Sequence, residues 1–532
     1  MKTNAQAETL RKKSGKKIVC GIKIAAIMTL SCILGLGLAG CGGDDAQNGK
    51  DTLTYWVRLH SNLGTSVTNF GDTPFAKKYQ EATGIRIKYT HPAQGQEAEN
   101  LNLLLASGDL PDIIETDWLL RDPVTCIAQN TIIDLRELID TSAPNFKEFL
   151  NENPDVDRQI KTDEGNYYVF PFVRNGEKLL STAGLMLRGD WLEELSLEAP
   201  ETIEEWENVL TQFKEKKGAK IPFVGGSYQL NFFAGAYQVA NDFYVDNGQV
   251  KYGCIEPGFR DYLETMHRWY EKGLVDKNYA IMDNDLITAS MLNGDGGATF
   301  GAGGAAMGAY LNAALQNGDT SYTLKAAKFP TIVKGEKPQF GNKMWQYSST
   351  NGAAITGKCK KPEVAARFLD YSYSQEGKAL NNFGIEGKSY EMIDGNPTYT
   401  ALITNNPDGK SMGQILSMYV RATNEGPFVQ DERYITQYYQ LDEQKDALNM
   451  WSDNNGEKHA MPQVTLTKDE RSEVNRIMND LTTFCEENVV SFIIGSKSLS
   501  EFDNFVNECK AKNIDRAIAI RQAAYDRFMN RK

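Results

Sequence analysis

The chain has 532 residues, with 57 Lys or Arg against 70 Asp or Glu and a formal net charge of −13. This length is enough for a large hydrophobic core and for more than one lobe. The acidic balance argues against nucleic acid as a partner, because phosphate binding depends on Lys and Arg side chains that displace counterions. The 4 histidines are scattered, and no Cys-x-x-Cys or His-Glu-x-x-His pattern occurs, so we expect neither a metal site nor a cofactor.

The N-terminal region has the pattern of a lipoprotein signal. A basic segment (11–17) precedes an apolar stretch (24–38) of about 15 residues, which is shorter than the roughly 20 residues of a membrane-spanning helix. Small residues then lead directly to Cys41. The pattern predicts that 1–40 is a cleaved signal peptide, that Cys41 carries diacylglycerol and an acyl chain such as palmitate, and that 41–50 is a flexible tether.

These features predict where the mature protein is found. We expect it on the extracellular face of the cell membrane, or on the periplasmic face in a Gram-negative source. The first 40 residues contain seven Lys or Arg and one acidic residue, so their removal changes the net charge from −13 to −19. An acidic surface does not favour anionic lipid headgroups, so the lipid on Cys41 has to provide the anchor.

Strand and helix patterns alternate through the first part of the mature chain. A β-rich run at 53–59 is followed by a helix that Thr73 caps, and then by a strand at 85–90. A helix at 98–107 and a strand at 112–116 come next. This alternation predicts a mostly parallel sheet covered by helices on both faces.

Ligands of such sheets bind beyond the carboxyl ends of the strands. His60 and Asn62 follow the first predicted strand, and Asp117 and Trp118 follow the third. We therefore expect these four side chains close to a binding site.

The middle of the chain contains two well-defined helices. Thr202 and Glu205 have the spacing of a capping box, and Trp206 lies on the apolar face of the helix that follows. A second helix at 257–272 places Trp269 on its apolar face. Both tryptophans are therefore predicted to be core residues.

Several motifs occur in the order in which they are found in one known family. Arg-Gly-Asp-Trp-Leu at 188–192, followed by Thr-Ile-Glu-Glu-Trp at 202–206, resembles a segment of the oligosaccharide-binding lipoproteins of ABC importers. In that family an Arg-x-Asp-Trp-Leu turn precedes a Thr-x-x-Glu-Trp helix. Five further segments resemble the same family and span nearly the whole mature chain: 108–112, 168–171, 270–276, 383–390 and 524–528.

The resemblance implies an α/β protein with a two-lobed periplasmic-binding-protein-like fold. Each lobe would be a mostly parallel sheet flanked by helices, with the ligand in the cleft between the lobes. The implied N-terminal lobe consists of 51–170 and 301–357, and the C-terminal lobe of 171–300 and 358–532. The resemblance also implies a monomer that closes on its ligand by hinge motion and delivers it to the permease subunits of an ABC transporter.

Some members of this family carry a calcium loop after the Thr-x-x-Glu-Trp helix. The corresponding stretch here, 214–222, reads Lys-Glu-Lys-Lys-Gly-Ala-Lys-Ile-Pro and has one carboxylate among four lysines. Calcium requires oxygen ligands, so we expect no calcium at this position.

A glycine-rich run at 301–306 matches the Gly-x-Gly-x-x-Gly/Ala pattern of dinucleotide-binding loops. A secreted lipoprotein has little access to nicotinamide cofactors, and the run lies in the middle of the chain. The favoured interpretation is that these glycines let the backbone approach the cleft closely and leave amide groups for the ligand.

Carbohydrate binding requires flat apolar faces against sugar C–H surfaces and planar polar groups that bind hydroxyls. Trp118 is predicted to form one wall of the cleft, and Tyr228 or Phe232 the opposite wall. The complete set of predicted ligand-binding residues is His60, Asn62, Asp117, Trp118, Arg174, Ser227, Tyr228, Phe232, Trp345 and Tyr347.

A secreted glycoside hydrolase or polysaccharide lyase is the alternative from another functional class, because it too would be acidic and rich in cleft aromatics. Such an enzyme needs two carboxylates roughly 5 to 10 Å apart with separated pKa values. No nucleophile motif is recognisable in the chain, so binding is preferred to catalysis.

Overall fold

The computed structural model describes residues 51–64 and 66–531. The predicted signal peptide, the tether and Cys41 lie outside the described residues. Within the described part of the chain, no helix is long and apolar enough to cross a membrane.

The strands belong to two larger sheets and two hairpins. They are β1 (Thr52–Trp56), β2 (Arg86–Thr90), β3 (Ile113–Thr116), β4 (Phe170–Asn175), β5 (Ala183–Arg188), β6 (Ile221–Phe223), β7 (Phe243–Asp246), β8 (Gln249–Tyr252), β9 (Gly296–Ala302), β10 (Leu324–Ala326), β11 (Tyr347–Ile355), β12 (Tyr390–Ile393), β13 (Asn396–Tyr399) and β14 (Val429–Asp431).

Helices surround both sheets and dominate the C-terminal part of the chain. They are α1 (Ser61–Gly64), α2 (Pro74–Thr83), α3 (Glu97–Ser107), α4 (Pro123–Ala128), α5 (Arg136–Ser142), α6 (Pro144–Glu152), α7 (Pro154–Ile160), α8 (Glu177–Leu180), α9 (Gly189–Glu194), α10 (Ile203–Lys217), α11 (Ser227–Leu230), α12 (Pro257–Glu271), α13 (Asn284–Leu292), α14 (Ala309–Gln316), α15 (Pro362–Asp370), α16 (Gln375–Phe383), α17 (Ala401–Thr404), α18 (Met412–Tyr419), α19 (Glu432–Tyr438), α20 (Asp442–Ser452), α21 (Lys468–Ile493), α22 (Phe502–Ala511) and α23 (Ile514–Met529).

The first sheet has the strand order β14-β4-β11-β3-β1-β2. β1 runs parallel to β2 and β3, as the strand and helix alternation predicted, and β14 runs parallel to β4. β11 is antiparallel to both of its neighbours, β3 and β4. The carboxyl ends of β1, β3 and β4 therefore meet at one edge, together with the start of β11.

The second sheet has the order β10-β5-β9-β6 and is mixed. β5 is antiparallel to β9 and β10, whereas β6 is parallel to β9. We call the first sheet with the residues that pack on it the first lobe, and the second sheet with its packed residues the second lobe.

The two sheets draw on different stretches of the chain from those implied by the resemblance. α14 and β10, which fall within the predicted N-terminal stretch 301–357, pack in the core of the second lobe. α15 and α16, which fall within 358–532, pack on the first sheet. The chain thus passes between the sheets at 176–182, 327–346 and 432–441. Pairing between strands more than 170 residues apart, such as β4 and β11, leaves no local sequence signal from which these crossings could be predicted.

The predicted helix ends have a clear structural basis. The Thr73 hydroxyl accepts a hydrogen bond from the Ala76 amide at the start of α2, and Gly84 ends that helix with φ of 71°. Thr202 and Glu205 form the predicted capping box of α10. Trp206 and Trp269 are fully buried in the second-lobe core, which confirms both core predictions.

The C-terminal helices contact both lobes. Most buried side chains of α21 and α22 pack in the second-lobe core. Beyond them, Arg527 and Arg531 both form ion pairs with Asp163 of the first lobe, at 2.7 and 2.6 Å. This end of the described chain therefore joins the two lobes.

Candidate functional site

A cavity of about 350 Å³ is lined by residues from both lobes. Two of the residues that line it from the first lobe are Arg174, at the carboxyl end of β4, and Glu425. Ala302, the last residue of β9, and Gly304, in the helical turn that follows it, come from the second lobe. The cavity therefore lies where the carboxyl edge of the first sheet meets the second lobe, which is the position expected for a ligand in such sheets.

A larger groove, of about 970 Å³, lies elsewhere on the first lobe. It runs beside the β12–β13 hairpin, and all of its lining residues belong to the first lobe. It does not contact the second sheet, so we regard the inter-lobe cavity as the candidate functional site.

Glu425 connects several elements of the first lobe at the cavity wall. Its carboxylate accepts hydrogen bonds from Arg174 Nη2 at 3.1 Å, from Thr350 Oγ1 at 2.9 Å and from Asn351 Nδ2 at 2.7 Å. Burial lowers the pKa of Arg174, and the nearby Glu425 opposes part of this effect. The carboxylate thus holds the ends of β4 and β11 together at the edge of the cleft.

Arg421 lies beneath this wall and is almost completely enclosed. Its Nη2 donates to Glu115 Oε1 at 2.6 Å, and the Tyr55 hydroxyl donates to the other oxygen of Glu115 at 2.7 Å. Burial alone would lower the pKa of Arg421, but Glu115 together with Tyr55 and Tyr89 outweighs it and the pKa is raised. The pair is a buried and fully hydrogen-bonded support for the cleft wall.

Tyr438 and Tyr439, in the crossing at 432–441, meet glycine backbone of the second lobe. A Cβ placed on Gly303 would lie 2.7 Å from the Tyr439 ring, and one on Gly304 would lie 3.3 Å from the same ring. The Gln444 amide also donates to the Gly303 carbonyl at 2.7 Å. The glycines therefore permit the close approach at the cleft that the sequence suggested, and here they pack against aromatic rings.

Three aromatic residues cluster near the end of β9 in the second lobe. Phe232 stacks on Phe300 with ring centroids 3.7 Å apart and an interplanar angle of 7°. Tyr228 packs edge-on against both rings, at 5.4 and 5.8 Å, and is 62% exposed. Ser227 is also exposed, at the start of α11. Tyr228 is therefore accessible and Phe232 is half-buried, and their role as a wall of the binding site stays a prediction.

Trp118 does not form the predicted cleft wall. Its side chain is 0% exposed, and its Nε1 donates to the Ile114 carbonyl at 3.1 Å. The ring packs in a small core on the other face of the first sheet, together with Trp56 and Tyr168. The position after a strand end was predicted correctly, but the ring turns into the protein, where burial of its apolar surface is favourable.

Tyr347 and Trp345 also have partners within the protein. Tyr347 is buried, and its hydroxyl lies 2.9 Å from that of Tyr168. Trp345 is half-buried, and its Nε1 donates to the Met461 carbonyl at 3.1 Å. Tyr347 is therefore a core residue in this structure, whereas one face of Trp345 remains partly accessible.

The predicted polar residues of the first lobe lie near the carboxyl edge. Asp117 accepts a hydrogen bond from Ser349 Oγ at 2.9 Å. His60 lines a small cavity with Arg421, and burial, assisted by Arg58, lowers the pKa of its imidazole, so it is neutral at pH 7. Asn62 lies beside α18, close to Tyr438.

The last turn of α10 and the loop that follows it are rich in lysine. Lys214 donates to the Lys272 carbonyl at 2.5 Å, and Lys217 pairs with Glu194. Ammonium groups, rather than the oxygen ligands that calcium requires, therefore dominate this stretch. Across residues 51–64 and 66–531, no group of three or more His, Cys, Asp or Glu side chains is arranged to hold a metal ion.

Sequence reasoning did not identify several residues of this site: Glu425, Arg421, Glu115, Tyr438 and Tyr439. Arg421 and Glu115 are 306 positions apart in the chain, so no local pattern connects them. The adjacent tyrosines at 438 and 439 lie in a polar segment with few apolar neighbours. This pattern could have predicted that their rings belong to a binding site rather than to the core.

Comparisons with known proteins agree with this architecture. A family model described as bacterial extracellular solute-binding protein matches residues 64–379. The fructooligosaccharide ABC transporter substrate-binding protein FusA of Streptococcus pneumoniae is 23% identical, over 96% of this chain and 98% of that protein. Lipoprotein LipO of Bacillus subtilis is 23% identical, over 69% of this chain and 74% of its own length.

Solved structures have the same fold. The alginate-binding protein AlgQ2, crystallised without calcium, superposes with a TM-score of 0.69 at 26% identity, and the match covers 90% of this chain and 99% of that one.

Proposed function

Because this chain belongs to the bacterial extracellular solute-binding proteins, we propose that it is the lipid-anchored receptor of an ABC importer and binds an oligosaccharide or related glycan between its two lobes. Such a protein binds its ligand and delivers it to the permease subunits without changing it. Membership of this family therefore favours binding over the glycoside hydrolase or polysaccharide lyase that was the alternative.

One structural observation supports the proposal that the ligand is a glycan. The Arg174 and Glu425 pair lines one side of the inter-lobe cavity, and Tyr438 and Tyr439 lie beside the glycine backbone of the second lobe. Sugars present hydroxyls at the ring edge and C–H groups at the ring face. Paired planar polar groups and tyrosine rings complement these two surfaces.

The relatives support the same ligand class. FusA is named for fructooligosaccharides, and a further relative, YtcQ of Bacillus subtilis, for polygalacturonan and rhamnogalacturonan. At 23% identity these names indicate carbohydrate in general rather than one sugar.

Delivery would depend on hinge closure of a monomer. The chain passes between the sheets three times, so the lobes can rotate about these crossings, and a ligand that contacts both lobes favours the closed arrangement. Anchoring at Cys41 would keep the receptor beside its permease.

The test is calorimetric titration of the soluble protein, without residues 1–41, against a panel of oligosaccharides, monosaccharides and peptides. We expect saturable binding of at least one oligosaccharide, and chromatography of the same samples should show it unchanged. Cleaved sugar would support the enzyme alternative, and binding of peptides alone would contradict the glycan assignment.

A further inference from the structure

The two largely buried arginines at the first-lobe wall of the cleft are paired within the protein. Arg174 bonds to Glu425 at 3.1 Å, and Arg421 bonds to Glu115 at 2.6 Å. A third arginine, Arg58, is exposed and lines the small cavity of His60 and Arg421 rather than the inter-lobe cavity. A ligand carboxylate is normally recognised by an arginine fork that is available to it, and both buried arginines here are already committed to carboxylates.

Glu425 itself adopts a backbone conformation that glutamate rarely takes. Its φ is 59°, in the left-handed region, and Gly426 follows with φ of 142°. Arg421 holds this turn by donating to the Glu425 carbonyl from Nε at 3.0 Å and from Nη2 at 2.7 Å. A strained residue that its surroundings hold in place at a cleft points to a functional role.

The Glu425 carboxylate retains acceptor capacity for a ligand. Two carboxylate oxygens offer about four acceptor positions. Arg174, Thr350 and Asn351 fill three of them. The side chain is 32% exposed and lines the inter-lobe cavity, so a further donor can reach it from there.

From these contacts we propose that Glu425 binds a hydroxyl of the ligand and makes the cleft selective for neutral oligosaccharides over those that contain uronic acids. The inference rests on the proposed function and narrows its ligand class. A sugar hydroxyl donates a charge-assisted hydrogen bond to the carboxylate, whereas a sugar carboxylate at the same place meets a like charge.

The experiment compares neutral fructo-, xylo- and manno-oligosaccharides with oligogalacturonates and oligoalginates of equal length by calorimetry. The variants are Glu425→Gln and the matched control Glu473→Gln. Glu473 is also a carboxylate paired with an arginine, at 2.8 Å, and its side chain is 33% exposed, but it lies on α21 outside the cleft.

We expect the native protein to prefer a neutral oligosaccharide at least tenfold. Glu425→Gln should weaken that binding roughly 10- to 100-fold and reduce the discrimination against uronates, while Glu473→Gln leaves both unchanged. Thermal unfolding of each variant checks that it is folded. If Glu425→Gln does not fold, Glu425→Asp serves instead, and it should weaken neutral binding while keeping the discrimination against uronates.

The outcomes separate this inference from the proposed function. Tighter binding of uronates than of neutral sugars would overturn the inference and leave the glycan receptor intact. Equal behaviour of the Glu425 and Glu473 variants would overturn the role of Glu425. Failure of every oligosaccharide to bind would overturn the proposed function, and the inference with it.

Discussion

Arg421 donates two hydrogen bonds to the backbone carbonyl of Glu425, at 3.0 and 2.7 Å. The same guanidinium bonds to Glu115 on β3 and lies over the Phe70 ring, with its Cζ 5.2 Å from the ring centroid. A single side chain thus links the core of the first lobe to a residue that faces the cleft. The backbone conformation at Glu425 therefore depends on a buried ion pair in the core of the first lobe.

Arg421→Met should destabilise the protein by about 3 to 5 kcal/mol, because it leaves Glu115 buried without its partner. The double variant Arg421→Met/Glu115→Gln should recover part of this loss. Urea unfolding measures both, with the exposed Arg516→Met as the control, for which we expect a much smaller change in stability. Equal stability of the two arginine variants would contradict the assigned role of Arg421.

Trp118→Ala should lower the free energy of unfolding by about 3 to 5 kcal/mol, because it removes a fully buried ring from the first lobe. Below the melting temperature the folded variant should bind ligand with nearly native affinity. Denaturant titration and calorimetry on the same samples test both statements. Weak ligand binding by a variant of native stability would instead support the prediction that Trp118 contacts the ligand.

Tyr228→Ala should have the opposite effect. The ring is largely exposed, so we expect the stability to change by no more than about 0.5 kcal/mol. If the ligand covers this ring, its loss should weaken binding by about 1 to 3 kcal/mol, or roughly 5- to 150-fold. Calorimetry decides the matter, with the exposed Leu286→Ala as a second apolar truncation. Unchanged ligand affinity in Tyr228→Ala would show that the ligand does not contact this ring.

Glu207 should make the second lobe sensitive to acid. Partial burial opposes ionisation, but hydrogen bonds from Arg268, Lys272 and Trp269 lower the pKa of its carboxyl from 4.5 to about 2. Because the folded pKa is depressed, the stabilisation is complete above about pH 4.5 and is lost as the pH falls through about 2. Glu207→Gln should therefore cost about 1 kcal/mol at pH 7, allowing for solvent screening, and almost nothing at pH 2.

Urea unfolding from pH 7 down to pH 2 measures this difference. Glu204→Gln, an exposed carboxylate on the same helix, is the control. A difference between Glu207→Gln and native protein that is independent of pH would show that packing, rather than charge, accounts for the effect.

Cys41→Ser should abolish incorporation of labelled palmitate and move the protein out of the lipid-labelled membrane pool, because lipidation requires the thiol. Palmitate labelling of intact cells followed by fractionation gives the answer. Labelling at the native level in the variant would contradict the lipoprotein assignment.

Local sequence patterns were sufficient for much of the fold. The caps at Thr73 and Thr202 and the apolar faces that bury Trp206 and Trp269 depend on residues within a few positions of one another, and the structure has them as expected. The parallel order of β1, β2 and β3 followed from the alternation of strands and helices.

The cleft wall could not be predicted in the same way. Glu425 acquires its partners from β4 and β11, 251 and 75 positions away in the chain. Trp118 shows the converse limit: its position after a strand end suggested a cleft residue, but a side chain there can point outward or into the core. Tertiary packing decides that orientation, and the neighbouring residues in the sequence do not predict it.

Asp163 binds Arg527 and Arg531 at the end of the described chain, and both the aspartate and Arg531 are shielded from solvent. Salt screens shielded ion pairs weakly, so this attachment should persist across ordinary ionic strengths. The stretch 527–531 is therefore a part of the joint between the lobes, and a bulky fluorophore attached within it should weaken the contact between the lobes.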